Sequence, residues 1–309
     1  MKQDFHWQSK SNPMLNFEKV EAIIDFYGGT HGNFLEYIIN RYIFSIECCK
    51  DFTPFNNLGT AHAKNDNDAY IKDRKIVCRH FSAFGDKMSE DIPIIKIKVS
   101  KYYHPVAVYN AVLRAGDQFF DINELEKNTL AKLPIKHEGL KAEIIRQLGN
   151  HINYNRKDIR NFFFSKLMHD EYSISLMNHD IHPENKSLEI DVAVLFEFQK
   201  FTMMLGDIAN FLNCRFAFDK TLYPLWLEFM SKNHGYNSFT KCSKIIDNII
   251  QCQDYEFKVN VLEEAYINFF IVKSFGVYEN LSCYENQYPT NTRHILDEIL
   301  AEKERLRWT

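Results

Sequence analysis

The sequence predicts an α/β fold: three layers with a parallel sheet between helices, and a C-terminal half that is mostly helix. Three observations carry this reading. Between residues 20 and 115, apolar runs of strand length alternate with helix-like stretches, the order in which crossover helices join parallel strands. From residue 197 onward, apolar residues recur at helical spacing almost without interruption. The chain of 309 residues is 45% hydrophobic and 25% charged, enough for a packed core, which excludes wholesale disorder.

Residues 1–20 are polar and read as an N-terminal arm. Residues 21–309 read as a single α/β domain with a helical extension from about residue 197. Residues 22–27, A-I-I-D-F-Y, form a short apolar run and read as a buried strand. A glycine-rich segment breaks it, and residues 34–46 then place Phe34, Leu35, Ile38, Ile39 and Tyr42 at helical spacing. Residues 51–70 are rich in Asn, Asp, Thr and Gly and read as loop. Residues 75–78 and 94–99 read as strands, and Pro105 opens a helix to about Arg114. The pattern over residues 121–182 is helical and charged, and residues 188–196 read as a fourth strand. Phe201, Met204, Leu205, Ile208, Phe211 and Leu212 share one helical face. Residues 222–230, 255–275 and 293–307 read as further helices, the last capped by Thr290 or Asn291.

No polar-then-apolar leader opens the chain, and its most apolar run, residues 265–272, is far shorter than the ~20 residues that span a bilayer. A soluble, cytoplasmic protein with no membrane span is the expectation. Seven cysteines without a C-x-x-C pair suggest neither a disulfide framework nor a zinc ribbon. His179 and His182 stand three apart, but no third ligand accompanies them, so no metal is expected. A net charge of −4 argues against a nucleic-acid partner, which needs a basic face, and leaves room for a local anion pocket. Aromatic residues make up 15% of the chain, and sequence does not divide them between core and ligand site.

The segment that carries chemistry is Gly28-Gly29-Thr30-His31-Gly32-Asn33, between the first strand and the first helix. Glycines let a backbone approach an anion and adopt positive φ, and the amides at a helix start point toward its oxygens. Thr30 and Asn33 add candidate side-chain donors, and His31 a ring N–H or positive charge. The segment is not a Walker A loop, because Gly32 is followed by Asn-Phe where that motif has Lys-Ser/Thr, and it is not G-x-G-x-x-G. An ordinary ATPase or GTPase is thereby disfavoured.

The stretch F-Y-G-G-T-H-G-N-F-L-E-Y, residues 26–37, resembles the 5′-phosphosulfate-binding loop of sulfotransferases, in its G-G-T form with one extra residue. Two later blocks fall in the order that resemblance implies. K-I-V-C-R-H ends in His80, where family members end a strand in the catalytic base, with Arg79 in place of their Thr. The strand at 94–99 leads through Ser100, Lys101 and Pro105 to a helix, where the family holds a 3′-phosphate with Arg. Here Lys101 or Arg114 would supply that charge. The run L-F-E-F-Q-K-F-T-M-M-L-G-D-I-A-N-F-L, residues 195–212, is similar to the family's later strand and helix. The loop carries no basic residue before Gly29-Thr30, and His31 is the nearest substitute.

The resemblance implies a P-loop-like start to the fold and a transferase that needs no metal. Its donor would be 3′-phosphoadenosine 5′-phosphosulfate (PAPS), and its acceptor a hydroxyl of a sugar or other small molecule. It assigns His80 and His31 to catalysis. It assigns Gly28, Gly29, Thr30, His31, Gly32, Asn33, Lys101 and Arg114 to donor binding. Two other readings compete. A fucosyltransferase-like glycosyltransferase using a nucleotide-sugar carries G-G-x-G-N-x-x-x-Q-Y, to which G-G-T-H-G-N-F-L-E-Y is close, but the chain has no His-x-Arg-Arg-x-Asp segment. A non-catalytic nucleotide-binding protein would keep the fold without the chemistry.

Overall fold

The computed structural model describes residues 20–46, 74–80, 92–117, 174, 178, 186–276 and 290–307. In chain order the elements are β1 (Ala22–Phe26), α1 (Gly32–Tyr42), β2 (Ile76–His80), β3 (Ile94–Lys98), α2 (His104–Asp117) and β4 (Ser187–Asp191). There follow a 3₁₀ turn (Val192–Phe196), α3 (Phe198–Phe211), α4 (Leu222–Ser231), α5 (His234–Ile250), β5 (Glu256–Phe257), α6 (Val261–Phe275), β6 (Thr290–Asn291) and α7 (Thr292–Arg307). This is a mixed α/β fold with a parallel sheet. The readings of residues 1–19 as an arm, 51–70 as loop and most of 121–182 as helix lie outside the described residues, as do His179 and His182. No helix among the described residues is long and apolar enough to cross a membrane.

The chain divides into two compact units. The first holds β1 to β4, α1, α3 and α4. Its four strands pair in the order β2-β1-β3-β4, all parallel. β1 is buried at every position, as an inner strand covered on both faces must be. The register sets Arg79, Asp25, Lys96 and Glu189 in one row across the four strands, so formal charges alternate along it. Asp25 and Lys96, at the centre of the row, are both buried. Two residues further along β3, Lys98 reaches back to Glu189 at 2.6 Å.

α1 is buried from Gly32 through Asn40, so apolar periodicity describes only part of its packing. Asn33, Glu36 and Asn40 recur at i, i+3 and i+7 and form a polar stripe on it. Asn40 uses its whole carboxamide. Its Oδ1 accepts from Lys75 N (2.9 Å) and Ile76 N (3.1 Å), and its Nδ2 donates to Ile76 O and Glu36 O, both at 2.9 Å. Elsewhere in this unit three phenylalanines make core: Phe34 stacks on Phe229 (4.0 Å between centroids, 4° between planes) and on Phe201 (5.8 Å, 19°).

The second unit holds α2, α5, α6, α7 and the β5–β6 pair. Its core joins Ile245, Ile246 and Ile249 of α5 to Ile267 and Ile271 of α6 and to Ile295 and Ile299 of α7. Tyr109 of α2 is buried, and its hydroxyl accepts from Asn260 Nδ2 at 3.2 Å. Burial pushes this hydroxyl up to about 12.

The structure corrects two boundaries. The strand expected over residues 188–196 ends at Asp191, whose carboxylate accepts from Ala193 N at 2.8 Å and turns the chain into the 3₁₀ segment. The helix expected over residues 255–275 begins only at Val261. Asn260 Oδ1 accepts from the amides of Leu262 and Glu263, and Glu263 Oε2 accepts from Asn260 N, each at 3.0 Å. That reciprocal pair is a capping box. The expected cap of the last helix holds at Asn291, whose Oδ1 accepts from Arg293 N at 2.7 Å.

Two outcomes follow from these contacts. Asn40→Ala strands buried amide and carbonyl groups at the entry to β2 and is expected to lower stability by about 2–3 kcal/mol in urea denaturation. Tyr109 keeps its proton in the folded chain up to about pH 12 but loses it near 10 when unfolded. Its contribution is complete below about pH 10 and declines as pH rises through that window. Tyr109→Phe should therefore flatten the loss of stability between pH 10 and 12 in denaturation curves taken at both ends.

Candidate functional site

β1 delivers its carboxyl end to Tyr27, and the loop turns there into α1. Gly29 (φ 92°) and His31 (φ 65°) are left-handed, while Gly32 begins the helix. Such changes of hand along a short run turn successive N–H groups toward one side, the geometry of an anion-binding concavity. The first amides of α1, which lack acceptors within the helix, follow directly. Two of the glycines have opposite surroundings. A Cβ built on Gly32 would lie 2.3 Å from the Phe26 ring, so only glycine lets α1 approach β1 this closely. Among the described residues, a Cβ built on Gly28 meets nothing within 4 Å, so space lies open beside it.

The side chains of the loop divide in the same way. Thr30 is buried and donates its hydroxyl to Tyr27 O at 2.7 Å, which closes the turn. Asn33 is 6% exposed, and its Oδ1 accepts from Cys78 Sγ at 2.8 Å. Its Nδ2 has no acceptor among the described residues. Cys78 also lies 2.6 Å from Glu36 Oε2, and the other oxygen of Glu36 is ion-paired with buried Arg74. His31 is half-buried. Its ring meets Phe229 at 5.0 Å and Phe196 at 5.9 Å, both edge-on. Aromatic packing therefore fixes the one non-glycine residue of the loop that stands at positive φ.

Two other expected site residues come to the same edge. His80 ends β2 and is level with Phe26 of β1. Lys101 is exposed in the turn after β3. That turn is anchored by Asn178, which accepts from Val99 N and donates to Val99 O, both at 2.8 Å. Tyr103 N closes the turn onto Ser100 O at 3.0 Å. Arg114 lies in α2, in the second unit.

No family model, curated protein or solved structure matches the chain. The site therefore rests on its own geometry. Sequence reading did not find Asn178, Glu36 or Arg74. Glu36 had a signal in its spacing from Asn33 and Asn40, whereas Asn178 meets Val99 only through the fold.

The contrast between the two glycines gives a direct test. Gly32→Ala should cost about 1–3 kcal/mol, because the Phe26 ring is held in a packed core. Gly28→Ala should change stability by no more than about 0.5 kcal/mol. Thermal and urea unfolding of the two variants side by side measures both.

Proposed function

We propose that the chain is a sulfotransferase, with a P-loop-like start to a three-layer α/β fold. It would transfer a sulfuryl group from PAPS to a hydroxyl of a sugar or other small acceptor. The observation that carries the reading is the position of the glycine loop. It leaves the carboxyl end of β1, and the strand order reverses there, with β2 on one side and β3 on the other. Ligands of open parallel sheets bind in the crevice at that point. The alternating backbone hand at Gly29 and His31 and the open space beside Gly28 fit a phosphate group.

PAPS would supply the activated sulfuryl group. Thr30 N is taken up by Tyr27 O at 3.1 Å, so the other amides between Gly28 and Asn33 would hold its phosphate and receive the charge that grows there as the sulfur–oxygen bond breaks. Thr30 and Asn33 would act through the loop's shape, since their side chains bond inward. His31 would add a ring donor beside the amides, and Lys101 a positive charge from the neighbouring turn. His80 would take the proton from the acceptor hydroxyl as its oxygen bonds to sulfur, a role suited to a group with an ordinary value near 6.5.

Titration calorimetry with 3′-phosphoadenosine 5′-phosphate tests the site. Gly28→Asp puts a carboxylate into the open space and is expected to weaken binding at least tenfold without loss of fold. Absence of binding by the unaltered chain, or equal binding by the variant, would overturn the reading. For the chemistry, His80→Ala should slow transfer of labelled sulfuryl to hydroxyl acceptors by about 10²–10⁴ with nucleotide affinity unchanged.

A further inference from the structure

Asn33 is the second residue of α1, in the turn whose first amides would face a phosphate. Its side chain is almost wholly buried, and its Oδ1 accepts from Cys78 Sγ at 2.8 Å. Its Nδ2 has no acceptor among the described residues, so the bond from Cys78 sets which way the carboxamide points. Asn40 is the contrast on the same helix, since both ends of its carboxamide are bonded to backbone. Cys78 is itself firmly held. It is fully buried at the middle of β2, level with Ile24 of β1. Its sulfur also lies 2.6 Å from Glu36 Oε2, and the other oxygen of Glu36 is ion-paired with buried Arg74.

The thiol thus joins a buried charge pair to the first turn of α1. A thiol is a weak donor, but in a dry interior the same contact is worth more than in water. The contact is also remote from the loop in sequence, since Cys78 belongs to the neighbouring strand. We infer that Cys78 is a positioning residue of the phosphate site: through Asn33 it holds the first turn of α1 at the angle at which the loop amides converge. The inference rests on the phosphate-loop reading above and adds to it a residue outside the loop. Being fully buried, Cys78 acts on the ligand only through Asn33.

Calorimetry with 3′-phosphoadenosine 5′-phosphate reads the effect. Cys78→Ala is expected to weaken binding by about five- to tenfold, and Cys78→Ser, which keeps a donor, to stay within about twofold of the unaltered chain. Asn33→Ala removes the same link from its other end and should lose a similar amount, and the double variant no more than either single one. A merely structural role would instead lower the thermal midpoint of Cys78→Ala and add to the loss in Asn33→Ala. Unchanged binding by Cys78→Ala, equal weakening in Cys78→Ser, or additive losses in the double variant overturns the inference and leaves the loop reading standing. Should Cys78→Ala fail to fold, Cys78→Ser and Asn33→Ala decide: the inference requires the first to bind like the unaltered chain and the second about five- to tenfold more weakly. Failure of the unaltered chain to bind overturns the loop reading and this inference together.

Discussion

Asn40 bonds to the backbone of Lys75 and Ile76 through both ends of its carboxamide, and so ties α1 to the start of β2. The placement of the loop depends on this tie and on the close approach at Gly32. β1 and β2 are bonded in register, so a helix held to β2 by Asn40, and to β1 where Gly32 meets Phe26, has little freedom to slide or lift. Its first amides are then fixed beyond the end of β1. The Glu36–Arg74 ion pair and Cys78 fill the space between these two anchors. Removing either partner of the ion pair would leave a buried charge uncompensated, which costs far more than the pair itself contributes.

The loop holds backbone conformations that are costly in isolation. A left-handed histidine costs on the order of 1 kcal/mol or more, and it persists because its surroundings specify it. Here Phe196 and Phe229, one following β4 and the other in α4, close on the imidazole ring. The later helices of the first unit thus help to set the shape of a loop far ahead of them in sequence. Phe229 in turn stacks on Phe34, which stacks on Phe201, and all three are almost wholly buried.

The sheet strands, α1 and the glycine loop were legible because apolar runs and glycines act locally. β1 and β3 end within one residue of where the pattern stops. Boundaries failed where a polar side chain redirected the backbone: Asp191 ends β4 early, and Asn260 delays α6. α5 did not stand out as a separate element, because its helical pattern runs on from the preceding one across Lys232 and Asn233. The buried polar stripe of α1 was hidden for a different reason. Asn33, Glu36 and Asn40 look like a solvent face until a strand with its own polar groups lies against them. Within the candidate site, the loop and His80 could be read from sequence, but the clasp of Asn178 on Val99 joins distant segments and leaves no local pattern.

The row of alternating charges has a consequence for how the sheet assembles. Every neighbouring pair is parallel and distant in sequence: Ala22 finds Ile76, and Ile94 finds Ser187. Such sheets form slowly, and during synthesis the edge of β3 stays open until the chain beyond residue 186 has emerged. Apolar strands left open for so long are prone to pair out of step. A slip by one residue would set Asp25 and Lys96 level with apolar residues of the neighbouring strand instead of with each other. The row thus marks the native register, since only that alignment keeps the opposite formal charges level.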